Sequence, residues 1–196
     1  TVDYGASQTY TVTPATGYHV ASVLVDGTTA TLTGGTYTFS NVTANHTIAV
    51  TFAIDTFTIT ATAGANGTIS PVGTTTVSYG ASQTYTVTPA TGYHVASVLV
   101  DGTAATLVGG TTYTFSNVTA NRTIAVTFAT DTFTITASSN AGGSVTPSGT
   151  TTVNYGASQT YTVTPATGYH VASVLVDGTT ATLVGGTSYT FSNVTA

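Results

Sequence analysis

Chemistry needs side chains that move protons, bind metals or attack, and this chain of 196 residues has few of them: six Asp, one Arg, four His and no Cys, Lys or Glu. His19, His94 and His170 stand at one repeated position, directly after Tyr18, Tyr93 and Tyr169. One imidazole per repeat, with no thiol or carboxylate beside it in the sequence, falls short of the roughly three or four convergent ligands of a metal site. These residues read as structural histidines. His46 is replaced by Arg122 at the equivalent place, so that position is not a ligand in every repeat and reads as a solvated turn residue. Asp26, Asp101 and Asp177 each precede a Gly, while Asp55 and Asp131 stand at joints between repeats. Calcium takes about six to eight oxygens, and only one carboxylate is offered at each place, so the turn reading is preferred. There is no carboxylate pair, no thiol and no Ser-His-Asp order in a motif context. The expectation is a protein that is no enzyme, with no catalytic, cofactor-binding or metal-binding residue.

Modification is better supplied. Asn-x-Thr triplets begin at Asn41, Asn45, Asn66, Asn117, Asn121 and Asn193, most of them in turns where a glycan fits. The threonine-rich faces are open to O-glycosylation as well, and a sugar coat would keep a weakly charged surface in solution. Gln8, Gln83 and Gln159 recur among threonines and raise the thought of a Thr-Gln ester cross-link; the Lys-dependent amide version is impossible here. Thr-x-Thr rows such as Thr84-Thr86-Thr88 resemble ice-binding ladders, but every strand shows them, as solvent-facing strand threonines do.

The elements that position these residues repeat. The text from Tyr79 to Phe128 recurs almost letter for letter from Tyr4 and from Tyr155, a period of about 75 residues that marks a tandem array. The predicted organisation is a partial repeat over 1–53 lacking its first strand, a complete repeat over 54–130, and a partial repeat over 131–196 lacking its last strand. A unit of this size is near the lower limit for independent folding, and without disulfides its stability rests on packing within and between repeats.

Within the complete repeat, Phe57, Ile59 and Ala61 alternate with Thr58, Thr60 and Thr62, the period of a half-buried strand. Gly64 to Gly73 breaks the pattern, and extended structure resumes over Thr75 to Tyr79. Thr84 to Thr88 alternates again until Pro89, which has no N–H to give a ladder. In Tyr93 to Val100 the apolar residues change parity, as a central strand or a strand with a bulge would show. Asp101-Gly102 then signals a two-residue hairpin, and Ile124, Val126 and Phe128 close the unit. The expected fold is all-β: a tandem array of β-sandwich or β-grasp-like units with six to seven short, mainly antiparallel strands and little or no helix. Tyr85, Val87, Val95, Leu99, Phe115, Ile124, Val126 and Phe128 form the candidate core.

Few residues separate Phe57 and Phe133 from the preceding repeats, so the joints leave little room for free swinging, and a fairly stiff rod is expected. The cut outer repeats admit two readings. One is a window on a longer repeat protein; the other is complementary ends, by which one chain completes the next through β-strand complementation.

The order from Phe57 to Gly102 followed by Tyr113 to Ala129 resembles the divergent internalin-type B-repeat of long bacterial and archaeal surface proteins. Its marks are Gly67-Thr68-Ile69-Ser70, Tyr79-Gly80-Ala81, Pro89-Ala90-Thr91-Gly92-Tyr93 and Asn121 to Phe128. Members often carry a Trp after the Gly-Tyr element, where this chain has Val98-Leu99 and no Trp. The resemblance implies an extracellular or cell-surface module used as spacer, stalk or adhesive segment, with no catalytic residues. Composition agrees, since a single Arg and a net charge of −5 argue against nucleic acid, and no apolar run is long enough to insert in a membrane. The expected function is the shaft of an extracellular fibre or stalk whose partners are copies of itself. The alternative is a multivalent adhesin that binds glycans through many weak copies.

Overall fold

The computed structural model describes residues 1–196, built of strands and turns without helix. The first repeat supplies β1 (Gln8–Thr11), β2 (Tyr18–Val25), β3 (Thr28–Thr29), β4 (Thr36–Phe39) and β5 (Ile48–Ile54). The second supplies β6 (Thr56–Ala63), β7 (Gly67–Ser70), β8 (Gly73–Ser78), β9 (Gln83–Pro89), β10 (Tyr93–Val100), β11 (Thr103–Ala104), β12 (Thr112–Phe115) and β13 (Arg122–Thr130). The third supplies β14 (Thr132–Ala137), β15 (Gly143–Thr146), β16 (Gly149–Asn154), β17 (Gln159–Pro165), β18 (Leu175–Val176), β19 (Thr179–Thr180) and β20 (Ser188–Phe191).

Two sheets build the second repeat, one in the order β11-β10-β13-β6-β8 and one in the order β12-β9-β7. Alternation decides their inner faces. Phe57, Ile59 and Ala61 of β6 lie opposite Val77, Thr75 and Gly73 of β8, and Ile59, Ala61 and Val77 are buried while Thr58 is half-buried and Thr60 is exposed. The N–H of Thr58 donates to Asn121 Oδ1 (2.9 Å) and that of Gly64 to the carbonyl of Val126 (2.8 Å). Both strands therefore advance in the same direction, so the neighbours β6 and β13 run parallel within an otherwise mostly antiparallel repeat. In the third repeat the corresponding strands come as two separate pairs, β14-β16 and β18-β19, beside the three-stranded sheet β15-β17-β20.

By their contacts the residues form two compact units, each containing one joint between repeats. The first comprises Thr1–Thr62, Ile69–Thr86 and Leu99–Ala125; the second comprises Ala63–Thr68, Val87–Val98 and Val126–Ala196. In the first unit Ile59, Ile69, Tyr85, Phe115, Val118 and Ile124 are the buried centre, with Tyr85 and Phe115 edge to face at 6.0 Å. Each side chain of this size contributes about 1.5–3 kcal/mol on full burial. In the second unit Val87, Val98, Val126, Val153, Tyr161 and Val194 are buried.

The Asp-Gly hairpins form as expected. Asp26, Asp101 and Asp177 have φ of 51°, 49° and 49°, and the glycines that follow each have φ of 78–79°, the two positive values a type I′ turn requires. They join β2 to β3, β10 to β11 and β18 to β19.

One core assignment is corrected. Leu99 faces outward and is 39% exposed, while Val98 and Val100 are buried. The reason is visible in the first repeat, where the register between β2 and β5 shifts between Val20 and Ser22. A bulge there reverses the parity of the residues after it, so the valines turn in and the leucine turns out. Val95 and Phe128 are half-buried, and Tyr85, Val87, Phe115, Ile124 and Val126 are buried as expected.

Candidate functional site

The joints are the most elaborated feature of the chain. Strand β5 ends at Ile54 and β6 begins at Thr56, so Asp55 alone separates two repeats; Asp131 stands in the same way between β13 and β14. The N–H of Asp55 donates to the carbonyl of Gly17 (2.8 Å), and its own carbonyl accepts from the N–H of Tyr79 (2.8 Å). Asp131 repeats both bonds with Gly92 and Tyr155, again at 2.8 Å. Each joint residue is thus bonded backward to the repeat it leaves and forward to the repeat it enters.

The side chains follow the same plan. His19 Nδ1 lies 2.7 Å from Asp55 Oδ1, and His94 Nδ1 lies 2.8 Å from Asp131 Oδ1. The ring of Tyr79 packs against Gly17 and that of Tyr155 against Gly92, so closely that a Cβ on either glycine would overlap the ring. Both glycines also sit at positive φ, 79° and 78°, where other residues are strained. The Pro-Ala-Thr-Gly-Tyr-His stretch is therefore half of a socket. The Tyr-Gly-Ala stretch of the next repeat is the part that enters it.

Magnitudes rank these contacts. The histidines are 57% exposed and their partner carboxylates 36% and 38%, so each His-Asp contact contributes about 0–1 kcal/mol at most. Positioning falls to the backbone bonds and the tyrosine ring on glycine. The sequence reading of these histidines as lacking a nearby carboxylate is corrected: the partner lies 36 or 37 residues further on. The recurrence of Gly-Tyr-His ahead of each joint Asp is the signal that could have found it.

A second pair marks the Asp-Gly hairpins. Asp26 Oδ1 accepts from the N–H of Thr47 (2.8 Å) while Oδ2 meets His46 Nδ1 (2.7 Å). Asp101 does the same with the N–H of Thr123 (2.8 Å) and with Arg122 Nε (2.8 Å). His46 stacks on Phe39 with centroids 5.0 Å apart, and the Arg122 guanidinium lies 5.5 Å over the ring of Phe115. The position read as a solvated turn residue is instead a basic side chain held between a turn carboxylate and an aromatic face. The Thr47 N–H bond, then the His46 hydrogen bond and its charge, hold the carboxyl of Asp26 below its ordinary value of 3.8.

The six glycosylation candidates Asn41, Asn45, Asn66, Asn117, Asn121 and Asn193 are all exposed. Asn41, Asn66, Asn117 and Asn193 occupy positive-φ turns, and Asn121 uses its carboxamide oxygen on Thr58. The amides of Gln8, Gln83 and Gln159 each donate to the carbonyl of the threonine that follows, at 2.9–3.0 Å.

The model of the divergent InlB B-repeat domain matches residues 57–132 and again residues 133–196. The preceding residues carry the same text once more from Tyr4. No curated protein and no solved structure matches the chain. With two successive matches covering more than half its length, the chain belongs to the divergent InlB B-repeat domain family and is a tandem array of that domain.

Proposed function

We infer that this chain is part of the shaft of an extracellular fibre or cell-surface stalk, made of tandem B-repeats and with no enzymatic activity. The observation that carries the reading is the duplicated joint. Two successive repeats are connected through one Asp with the same backbone bonds, the same His partner and the same Tyr-on-Gly packing. Repeats that served only as separate binding units would not need a joint of fixed geometry, whereas a spacer does. The scarcity of charge and the exposed Asn and Thr positions suit a glycan-coated surface protein.

Electron microscopy of native assemblies tests this. A shaft gives filaments or stalks of uniform width with a constant axial spacing per repeat. Variable spacing would contradict it. An adhesin, by contrast, would give a positive glycan array with two linked repeats, a signal that a shaft does not give.

A further inference from the structure

Each sheet of the second repeat ends in two outer strands, and β8 differs from the other three. Strand β11 has two residues and follows the charged turn Asp101-Gly102. Strand β7 has four residues and runs into Pro71, and β12 has four, with the Arg122 guanidinium over its Phe115. Short length, charge and proline keep an outer strand from pairing with another chain. Strand β8 has none of these protections. Its six residues, Gly73-Thr74-Thr75-Thr76-Val77-Ser78, carry no charge and no proline and follow β6 without a shift of register.

The ladder decides which backbone groups of β8 are left over. The N–H of Tyr79 donates to the carbonyl of Asp55, one place beyond the Thr56–Ser78 pair. Bonded and non-bonded pairs alternate in an antiparallel ladder, so Gly73, Thr75 and Val77 turn their N–H and C=O groups toward β6. Thr74 and Thr76 turn theirs away from it, along the open edge of the sheet. Strand β16 repeats the arrangement against β14: residues 149–153 are again Gly-Thr-Thr-Thr-Val, the N–H of Tyr155 donates to the carbonyl of Asp131, and Thr150 and Thr152 turn theirs to the edge.

We propose that this edge is an interaction surface for a second copy of the chain, β8 or its equivalent β16 in one copy pairing antiparallel with β8 or β16 in the other. The edge is self-complementary. With Thr75 opposite Thr75 of the other copy, Thr74 stands opposite Thr76 and Thr76 opposite Thr74, so every outward N–H of these threonines meets an outward carbonyl. The side chains match as well. Thr9 and Thr38, Thr84 and Thr114, and Thr160 and Thr190 stand directly opposite each other within the chain and share hydroxyl hydrogen bonds of 2.8 Å. Pairing of Thr74 with Thr76 between copies sets the same groups face to face, and neither strand brings a charge to the contact. Because the edge recurs in successive repeats, weak single pairings act together. Side-by-side association of shafts deepens the shaft reading and rests on it.

Sedimentation over a concentration series tests the proposal on the unaltered chain, on Thr76→Pro with Thr152→Pro, and on Thr76→Lys with Thr152→Lys. Proline removes only N–H groups that face away from β6 and β14, and lysine keeps every backbone group while bringing like charges together across the contact. The unaltered chain is expected to self-associate, and both variants to stay monomeric with the circular dichroism of the β-sheets retained. Where proline lowers the melting temperature, the lysine chain decides. The chain has no cysteine, so Thr75→Cys with Thr151→Cys reports the register: these residues form the non-bonded pair, about 4.5 Å between Cα atoms, within disulfide reach. That chain should form disulfide-linked dimers faster than one carrying Thr60→Cys with Thr136→Cys, which stand on the neighbouring strands β6 and β14. An unaltered chain that is monomeric at all concentrations overturns the proposal. So does association that persists in the folded lysine chain, or cross-linking no faster than in the Thr60 chain. Spacing between repeats inside one chain is a separate measurement, so a monomer whose repeats keep that spacing loses this proposal alone.

Discussion

The ring of Tyr155 packs against Gly92 so closely that no side chain can be placed on that glycine without moving it. Tyr155 opens the third repeat and Gly92 belongs to the second, so this contact sets how one repeat follows another. Gly17 and Tyr79 do the same one period earlier.

Gly92→Ala is predicted to destabilise the protein more than Gly102→Ala. Both residues have φ of 78°, but a Cβ on Gly102 meets nothing within 4 Å. The left-handed backbone costs both variants about 1–2 kcal/mol, and displacement of the Tyr155 ring adds about 1–3 kcal/mol for Gly92 alone. Urea unfolding of the two variants checks this, and equal losses would remove the ring contact from the account.

Asp131→Ala should lower stability by no more than about 1 kcal/mol, since its pair with His94 is largely exposed. Asp131→Pro also deletes the N–H that bonds Gly92, and the loss should be clearly larger. If the alanine variant were as damaging as the proline variant, the side chain and not the backbone would be holding the joint.

Tyr85 is fully buried and its hydroxyl has no hydrogen-bond partner. Such an orphaned group costs about 1–3 kcal/mol. Tyr85→Phe keeps the ring against Phe115 and should therefore raise the melting temperature. A fall would show that the hydroxyl is satisfied after all.

Asp26 supplies the acid dependence. Its folded value lies below its ordinary 3.8, so it contributes stability that is fully present above that ordinary value. The contribution is lost as pH falls through the lower, folded value, when the carboxylate that accepts from Thr47 and His46 is protonated. Asp26→Asn should lower the melting temperature near neutrality and flatten the acid limb, so that the variant and the unaltered chain converge in melts taken well below pH 3.8.

Local features were legible in the sequence and long-range ones were not. The alternation of β6 and the Asp-Gly turns could be read because each is decided within a few residues. Strand β7 (Gly67–Ser70) lies in a stretch that reads as a break, since its glycines and proline mask a short strand whose Ile69 is buried. Leu99 was misplaced because a bulge changes parity without leaving a mark of its own. Val118 is buried in a turn that reads as polar, held there by bonds between its backbone and residues 80 and 81. The His-Asp and Tyr-Gly contacts of the joints join residues from separate repeats, so only the folded chain brings them together.

The central claim is that neighbouring repeats keep one fixed spacing. Spin labels on cysteines introduced at the exposed positions Thr38 and Thr76 report it directly, because the chain has no other cysteine and these residues lie on either side of the Asp55 joint. Pulsed electron-electron resonance should give a single narrow distance distribution, kept in Asp55→Ala and broadened in Asp55→Pro. A broad distribution in the unaltered joint would contradict the account, leaving a string of repeats that swing freely and no shaft.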